Sequence, residues 1–323
     1  MIIRRLIGDI GATNARFAWV DADGLIERIR VVACDDYPTI EDALAAYLAD
    51  DDQPEVPREA ALAVASPITG DTVALTNHPW SFGVSSLKRR FALERLLVVN
   101  DFTANALAMP RLSPGERIAI GGGAPVAQAA IGVLGPGSGL GVSGLVWTPG
   151  GWVALSGEGG HATMAACDAR ETAVLEQMRK RFDHVSAERV LSGPGLVNLY
   201  NILAELEGVP AAPFTPAQIA DRHLGEAEPL VRAALAMFCA MLGSFAGNLA
   251  LTLGARGGIY IAGGIVPRLV PTLRDSAFRM RFEAKGRFQP YLAAIPTYVV
   301  AHPIPAFLGL VALLDERPAR SGV

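Results

Sequence analysis

The chain carries one phosphate-binding pattern twice. The first copy reads Leu6-Ile7-Gly8-Asp9-Ile10-Gly11-Ala12-Thr13-Asn14-Ala15-Arg16, and the second reads Ile131-Gly132-Val133-Leu134-Gly135-Pro136-Gly137-Ser138-Gly139-Leu140-Gly141. Each is an apolar run, a tight turn of Gly with Thr or Ser, and a second strand-forming run. Glycine allows close backbone approach and turns at positive φ. Successive N–H groups, helped by a hydroxyl, then form a concavity for phosphate oxygens. Neither copy is a dinucleotide fingerprint, which needs a helix after the turn; here residues 142–147 continue as a strand. No G-x-x-x-x-G-K-[ST] occurs, which excludes a Walker-type loop.

Three acidic positions could act on a hydroxylated substrate. Asp101 follows the apolar run Leu96-Leu97-Val98-Val99-Asn100. In open α/β sheets ligands bind beyond the carboxyl ends of strands, where a carboxylate can take a proton from a hydroxyl. The same residue could instead cap a helix over 103–109. In Ser156-Gly157-Glu158-Gly159-Gly160-His161, two glycines let Glu158 and His161 turn toward one point. A carboxylate and a neutral imidazole suit a polyol, and the alternative is a flexible surface loop. No further His or Cys stands at metal-ligand spacing. Glu188, before Ser192-Gly193-Pro194-Gly195, reads by itself as a solvated helix residue. Ala262-Gly263-Gly264-Ile265 ends another apolar run, and a Gly pair there lets a flat ring lie against the backbone. His78, His184, His223 and His302 read as structural or surface residues, and Asp51-Asp52 as a solvated turn.

Two α/β segments must position these groups. Strands are expected at 2–8, 16–21, 28–33, 60–65 and 96–100, with helices at 39–50 and 85–91. After a Pro- and Gly-rich linker at 111–124, strands are expected at 129–134, 141–147, 151–156 and 258–262. Helices are expected at 168–181, 195–207, 216–221, 228–253 and 267–275, and the apolar tail 306–314 reads as a helix packing back on the first segment. Hairpin, strand, helix, strand, helix recurs in both segments, a weak internal repeat. The uncharged stretch 233–255 is long enough to span a bilayer, with Gly243 and Gly247 at small-xxx-small spacing. Its Ala and Gly content, and Ser244, Asn248 and Thr252, favour a buried core helix.

Composition narrows the partners. The 323 residues are 51% hydrophobic with a net charge of −4, which suits about two domains and leaves no basic footprint for nucleic acid. Three scattered cysteines, Cys34, Cys167 and Cys239, fit a reducing compartment. The N-terminal apolar run is short and broken by Asp9, unlike a signal peptide.

Together the motifs resemble the bacterial glucokinase family of the sugar kinase, Hsp70 and actin superfamily, over nearly the whole chain. Residues 9–16 resemble its first phosphate motif, 135–141 the second and 262–265 the adenosine motif. Asn100-Asp101-Phe102-Thr103-Ala104, Glu158-Gly159-Gly160-His161, Glu188-Arg189 with Ser192-Gly193-Pro194-Gly195, and Ser66-Pro67-Ile68 resemble its sugar and catalytic motifs. Ala12 stands where the family usually has Gly, Ser138 where Thr is common, and no Cys-rich insert follows His161, unlike the zinc-bearing branch.

The resemblance implies an α/β fold of two ribonuclease-H-like (actin-like ATPase) domains around a central cleft. They would be residues 1–110 with 301–323, and 111–300. It implies transfer of the ATP γ-phosphoryl group to the 6-hydroxyl of glucose. Asp101 would be the base, and Asn100, Glu158, His161 and Glu188 would hold ring hydroxyls beside Ser66 and Pro67. Gly11, Ala12, Thr13, Asn14, Gly137, Ser138, Gly139, Gly263, Gly264 and Ile265 would hold ATP, and Asp9 would orient Mg²⁺ through water. A cytoplasmic homodimer without nucleic-acid or membrane partners is implied, with glucose closing the cleft. Among rivals, an Hsp70-like or actin-like ATPase calls for a long tail or polymer contacts. A related sugar-sensing repressor calls for an N-terminal helix-turn-helix. For an acetate- or glycerol-kinase-like enzyme, the Glu-Gly-Gly-His cluster with Glu188 argues for a hexose instead.

Overall fold

The structure, a computed structural model, describes residues 5–49, 56–221 and 228–316. The start of the first expected strand, Asp50, Asp51, Asp52 and His223 lie outside the described residues. The chain divides into two compact units, Met1–Arg111 with Pro303–Val323, and Leu112–His302.

The first unit is built on strands β1 (Arg5–Ile10), β2 (Asn14–Val20), β3 (Ile26–Ala33), β4 (Glu59–Val64) and β7 (Arg95–Asn100), with the small ribbon β5 (Thr72–Ala74) and β6 (Ser81–Gly83) beside them. The main sheet runs β3-β2-β1-β4-β7. β1 is antiparallel to β2 and parallel to β4, and β4 is parallel to β7. Alternate side chains point to opposite faces. Leu6, Ile10, Phe17, Trp19, Leu62 and Val64 join one core with Tyr47 of the helix Ile40–Ala49. Ile7, Ala18, Ala61 and Ala63 face the other way, against Phe307, Leu310 and Leu314 of the C-terminal helix Pro305–Asp315. Gly309 lets that helix approach closely; a Cβ there would overlap the carbonyl oxygen of Ala104. Arg95 reaches over its end and donates to the carbonyls of Leu314 at 3.0 Å and Glu316 at 2.7 Å, satisfying groups that a helix end leaves open.

The second unit repeats this order. Its strands are β8 (Arg117–Ala119), β9 (Ile131–Pro136), β10 (Leu140–Thr148), β11 (Gly151–Gly157), β12 (Gly258–Ile261) and β13 (Thr297–Val300), arranged β11-β10-β9-β12-β13-β8. β9–β10–β11 is an antiparallel meander like β1–β2–β3, and β12 and β13 continue parallel to β9, as β4 and β7 continue from β1. β8 is the addition, antiparallel at the far edge.

The stretch tested above for a bilayer is the helix Pro229–Leu253, and 72% of its most apolar window is buried inside the structure. Its Gly243 and Gly247 serve intramolecular packing. Added Cβ atoms there would overlap the carbonyl oxygens of Phe278 and Phe282, so the glycines admit the short helix Phe278–Glu283.

Several boundaries move. The expected helix at 267–275 is a 3-10 turn, Val266–Leu269, followed by a separate helix Val270–Asp275 with Pro271 in its first turn, where a missing N–H costs nothing. The linker at 111–124 contains β8, and β13 lies where no strand was expected. Both are short and register only as sheet partners.

Candidate active site

In the first unit, register brings the site residues to one sheet edge. Ile10 pairs with Val64 and Val64 with Asn100, so three parallel strands end side by side. Beyond these ends lie the Gly11–Asn14 turn, Ser66 and Asp101. The turn closes with Gly11 N–H donating to Asn14 O at 3.0 Å. Cys34, which the sequence reading gave no role here, steadies the turn from β3's far end. Its N–H donates to Thr13 O at 2.9 Å and its thiol to Gly11 O at 3.5 Å.

Asp9 sits in β1 itself rather than in the turn. Burial raises its carboxyl above the usual value, and the charge and hydrogen bond of Arg16, at 3.2 Å, oppose that rise.

Ser66 is buried and its Oγ accepts from Thr76 N–H at 2.8 Å, which seats the exposed Pro67 after it. Asn100 Nδ2 donates to the Ser66 carbonyl at 3.3 Å. Asn100, not Asp101, caps the helix Asp101–Ala108, its Oδ1 accepting from Phe102 N–H at 2.9 Å and Thr103 N–H at 3.4 Å. The helix therefore begins two residues earlier than the sequence suggested. Asp101 is its half-buried first residue, with Oδ1 accepting from Phe102 N–H at 2.9 Å.

In the second unit the second phosphate turn and the adenosine motif are neighbours. Leu134 pairs with Ile261 across β9 and β12. Ala262 N–H donates to Leu134 O at 2.8 Å and Ile265 N–H to Pro136 O at 3.4 Å. Gly263 has φ +88°, and a side chain there would overlap the Pro136 carbonyl. Both the backbone conformation and the close approach therefore require glycine. Gly137 N–H donates to Gly139 O at 2.8 Å, leaving Ser138 exposed at the tip.

Glu158 is exposed at the end of β11, where a 3-10 turn, Gly159–His161, begins, and His161 N–H donates to Glu158 O at 3.0 Å. The two glycines do more than turn the chain. A Cβ on Gly160 would overlap the Leu140 carbonyl oxygen, and one on Gly159 would stand 2.8 Å from Val142 Cγ1.

Glu188 is not a solvated helix residue. It lies in a 3-10 turn, Ala187–Arg189, and its Oε2 accepts from Leu140 N–H at 2.8 Å. The helix beyond it starts at Gly193 with Ser192 as cap, its Oγ accepting from Gly195 N–H at 3.0 Å. Leu140 and Ser192 stood inside quoted motifs, but their partners, like Thr76 itself, escaped the sequence reading because an ordinary apolar or hydroxyl residue carries no local mark of the partner it will meet.

Among the described residues, the other histidines make structural contacts. His78 packs edge-on to Trp80, His184 Nε2 is 2.9 Å from the His161 carbonyl, and His302 lies 3.6 Å from Glu116.

Comparison with known proteins agrees with this architecture. The sequence model of the glucokinase family matches residues 6–317. A glucokinase from Paramagnetospirillum magneticum is 52% identical over 312 residues, covering 96% of this chain and 97% of that one. The crystal structure of a glucokinase from an Antarctic psychrotroph is similar with a TM-score of 0.88 at 38% identity, over 98% of this chain and 100% of that one. A ROK family glucokinase from Streptomyces griseus, solved with glucose and AMPPNP, shares the fold at 19% identity, with a TM-score of 0.64 over 99% of this chain and 100% of that one. The repeated strand order in each unit is that of the actin-like ATPase fold these structures share. Sequence likeness along almost the full length and the same fold lead to one assignment: this chain belongs to the glucokinase family.

Proposed function

We propose that Asp101 is the general base of the family's reaction, in which the γ-phosphoryl group of ATP passes to the 6-hydroxyl of glucose to give glucose 6-phosphate and ADP. The observation that carries this reading is the register of the first sheet. It sets the Gly11–Asn14 turn and the carboxylate of Asp101 beyond strand ends that lie side by side. Asp101 accepts the hydroxyl proton as the sugar oxygen bonds to phosphorus and the bond to the ADP oxygen breaks. Asn100, Ser66 and Pro67 shape the sugar's side of that edge. In the second unit Glu158, His161 and Glu188 accept from and donate to ring hydroxyls.

The two Gly-rich turns supply backbone donors to phosphate oxygens through Gly11, Ala12, Thr13, Asn14, Gly137, Ser138 and Gly139. Gly263, Gly264 and Ile265 support the adenosine. Catalysis of this kind is positioning and electrostatics.

The residues present fit a magnesium ion held mainly by substrate. No group of three or more His, Cys, Asp or Glu residues is placed to hold a metal among the described residues. Asp9 offers a carboxylate beside the first turn, and Mg²⁺ commonly takes one or two carboxylates together with phosphates and water. Bound there, the ion would neutralise charge on the phosphates.

We further read the protein as a cytoplasmic homodimer acting on glucose and ATP, without nucleic-acid or membrane partners. The net charge of −4 and the resemblance support this. A coupled ADP-release assay with ATP, Mg²⁺ and a panel of glucose, mannose, glucosamine, glycerol and acetate tests the reaction. Glucose is expected to give the highest kcat/KM. Turnover of glycerol or acetate without turnover of glucose would overturn the reading.

A further inference from the structure

Three segments far apart in sequence meet at one residue, Leu140, which closes the second phosphate turn. Its N–H donates to Glu188 Oε2 at 2.8 Å. Gly160, from the Glu158–His161 turn, lies so close to its carbonyl oxygen that any side chain on Gly160 would overlap it. The segment after Glu188 holds the same turn at its opposite end, where Gly193 N–H donates to Gly137 O at 2.8 Å. Ser192 stiffens that segment, its Oγ donating to Glu188 O at 2.7 Å. The backbone from Gly137 to Leu140 is thus gripped at both ends by residues 188–193.

The Glu188 carboxylate has two oxygens in different circumstances. Oε2 takes the Leu140 N–H, and Oε1 has no hydrogen bond among the described residues. Gly139 leaves room for this arrangement, since a Cβ there would stand 2.5 Å from Oε2. We propose that Glu188 is a positioning residue that couples the sugar to the nucleotide: a ring hydroxyl on Oε1 fixes the carboxylate, which through Oε2 and Leu140 orders the second phosphate turn before ATP binds. The proposal rests on the reading that Glu188 holds the sugar. A turn already ordered by one ligand costs the second ligand less conformational entropy, and the coupling is reciprocal.

Calorimetric titration of a non-hydrolysable ATP analogue with Mg²⁺, with and without saturating glucose, measures the coupling as the ratio of the two Kd values. In the wild type glucose is expected to tighten the analogue at least about fivefold, the lower end of ordinary couplings. Glu158→Gln should weaken glucose binding yet keep that ratio at saturating glucose, because Glu158 makes no side-chain bond to the turn. Glu188→Ala should bring the ratio within about twofold of unity. Gly139→Ala, which displaces the Glu188 carboxylate from Leu140 without removing it, should lower the ratio as well, and it tests the idea even if Glu188→Ala fails to fold. A wild-type ratio in the Glu188 and Gly139 variants with weakened glucose binding would overturn the proposal and leave the sugar-site reading standing. So would loss of coupling in Glu158→Gln, or its absence from the wild type. Unchanged glucose affinity in Glu188→Ala would remove Glu188 from the sugar site and the proposal with it.

Discussion

Asp9 and Arg16 are register partners across the β1–β2 hairpin, joined by a hydrogen bond of 3.2 Å from Arg16 Nη1 to Asp9 Oδ2. Burial holds the Asp9 carboxyl above its ordinary value despite that cation. A carboxyl whose folded pKa exceeds its unfolded pKa weakens the fold once pH rises past the unfolded value, because the fold then carries an ionised group that it disfavours. At neutral pH the isosteric Asp9→Asn is therefore expected to melt at the same temperature as the wild type or higher. The Mg²⁺ concentration for half-maximal rate should rise at least about tenfold, the scale of one charge-assisted contact. Thermal melts and magnesium titrations check both. A lower melting temperature with an unchanged magnesium requirement would mark the pair as structural.

For Asp101, the isosteric Asp101→Asn keeps the helix start, because Asn100 provides the cap. Glucose binding should stay within about tenfold while kcat falls at least about a hundredfold, the scale of general-base catalysis. Retention of a tenth of wild-type turnover would show that another group takes the proton.

Glu158 is exposed at a strand end. Glu158→Gln replaces charge-assisted hydrogen bonds to sugar hydroxyls by neutral ones of about half the strength, so KM for glucose should rise and KM for ATP should not. An equal rise in both constants would place Glu158 outside the sugar site.

Stability should depend strongly on a pair away from this chemistry. Arg281 Nη2 donates to both carboxylate oxygens of the buried Glu171, at 2.7 and 2.9 Å. Burial pulls the Arg281 pKa down, and the charges and hydrogen bonds of Glu171 and Cys167 together raise it above its ordinary value. Removing Glu171 leaves the partly buried Arg281 facing the exposed Asp168 carboxylate at 3.5 Å, at a cost of up to about 3–5 kcal/mol. Glu171→Ala should lose about that much in urea melts. A loss below about 1 kcal/mol would mean that water screens the pair as at a surface.

The local code of this chain names the backbone proposed to face its ligands. The Gly turns at 11–14 and 137–139, the Gly pair after β12 and the apolar runs of β1, β4, β7, β9 and β12 are contiguous, so each announces itself within about ten residues of sequence. Family resemblance added the expected roles of Glu158, His161 and Glu188; the residues alone offered a polyol site for the first two and a solvated helix residue for the third.

What tertiary structure decided are the relations between distant segments. Leu140 and Glu188 are 48 positions apart, and nothing near either marks the bond between them. Gly243 and Gly247 carry a spacing that suits a lipid-facing helix pair, yet they admit Phe278 and Phe282. Asn100 and Asp101 are both good caps by type, and the strand's exit decided in favour of Asn100, whose backbone leaves β7 extended at φ −63° and ψ 148°. β8 and β13 are only 3 and 4 residues long, too short for a periodic signal, and exist as strands because β12 supplies a ladder to β13 and β13 supplies one to β8. A hydrogen bond or a close backbone contact depends on where both partners sit in space, and a sequence records only one partner at a time.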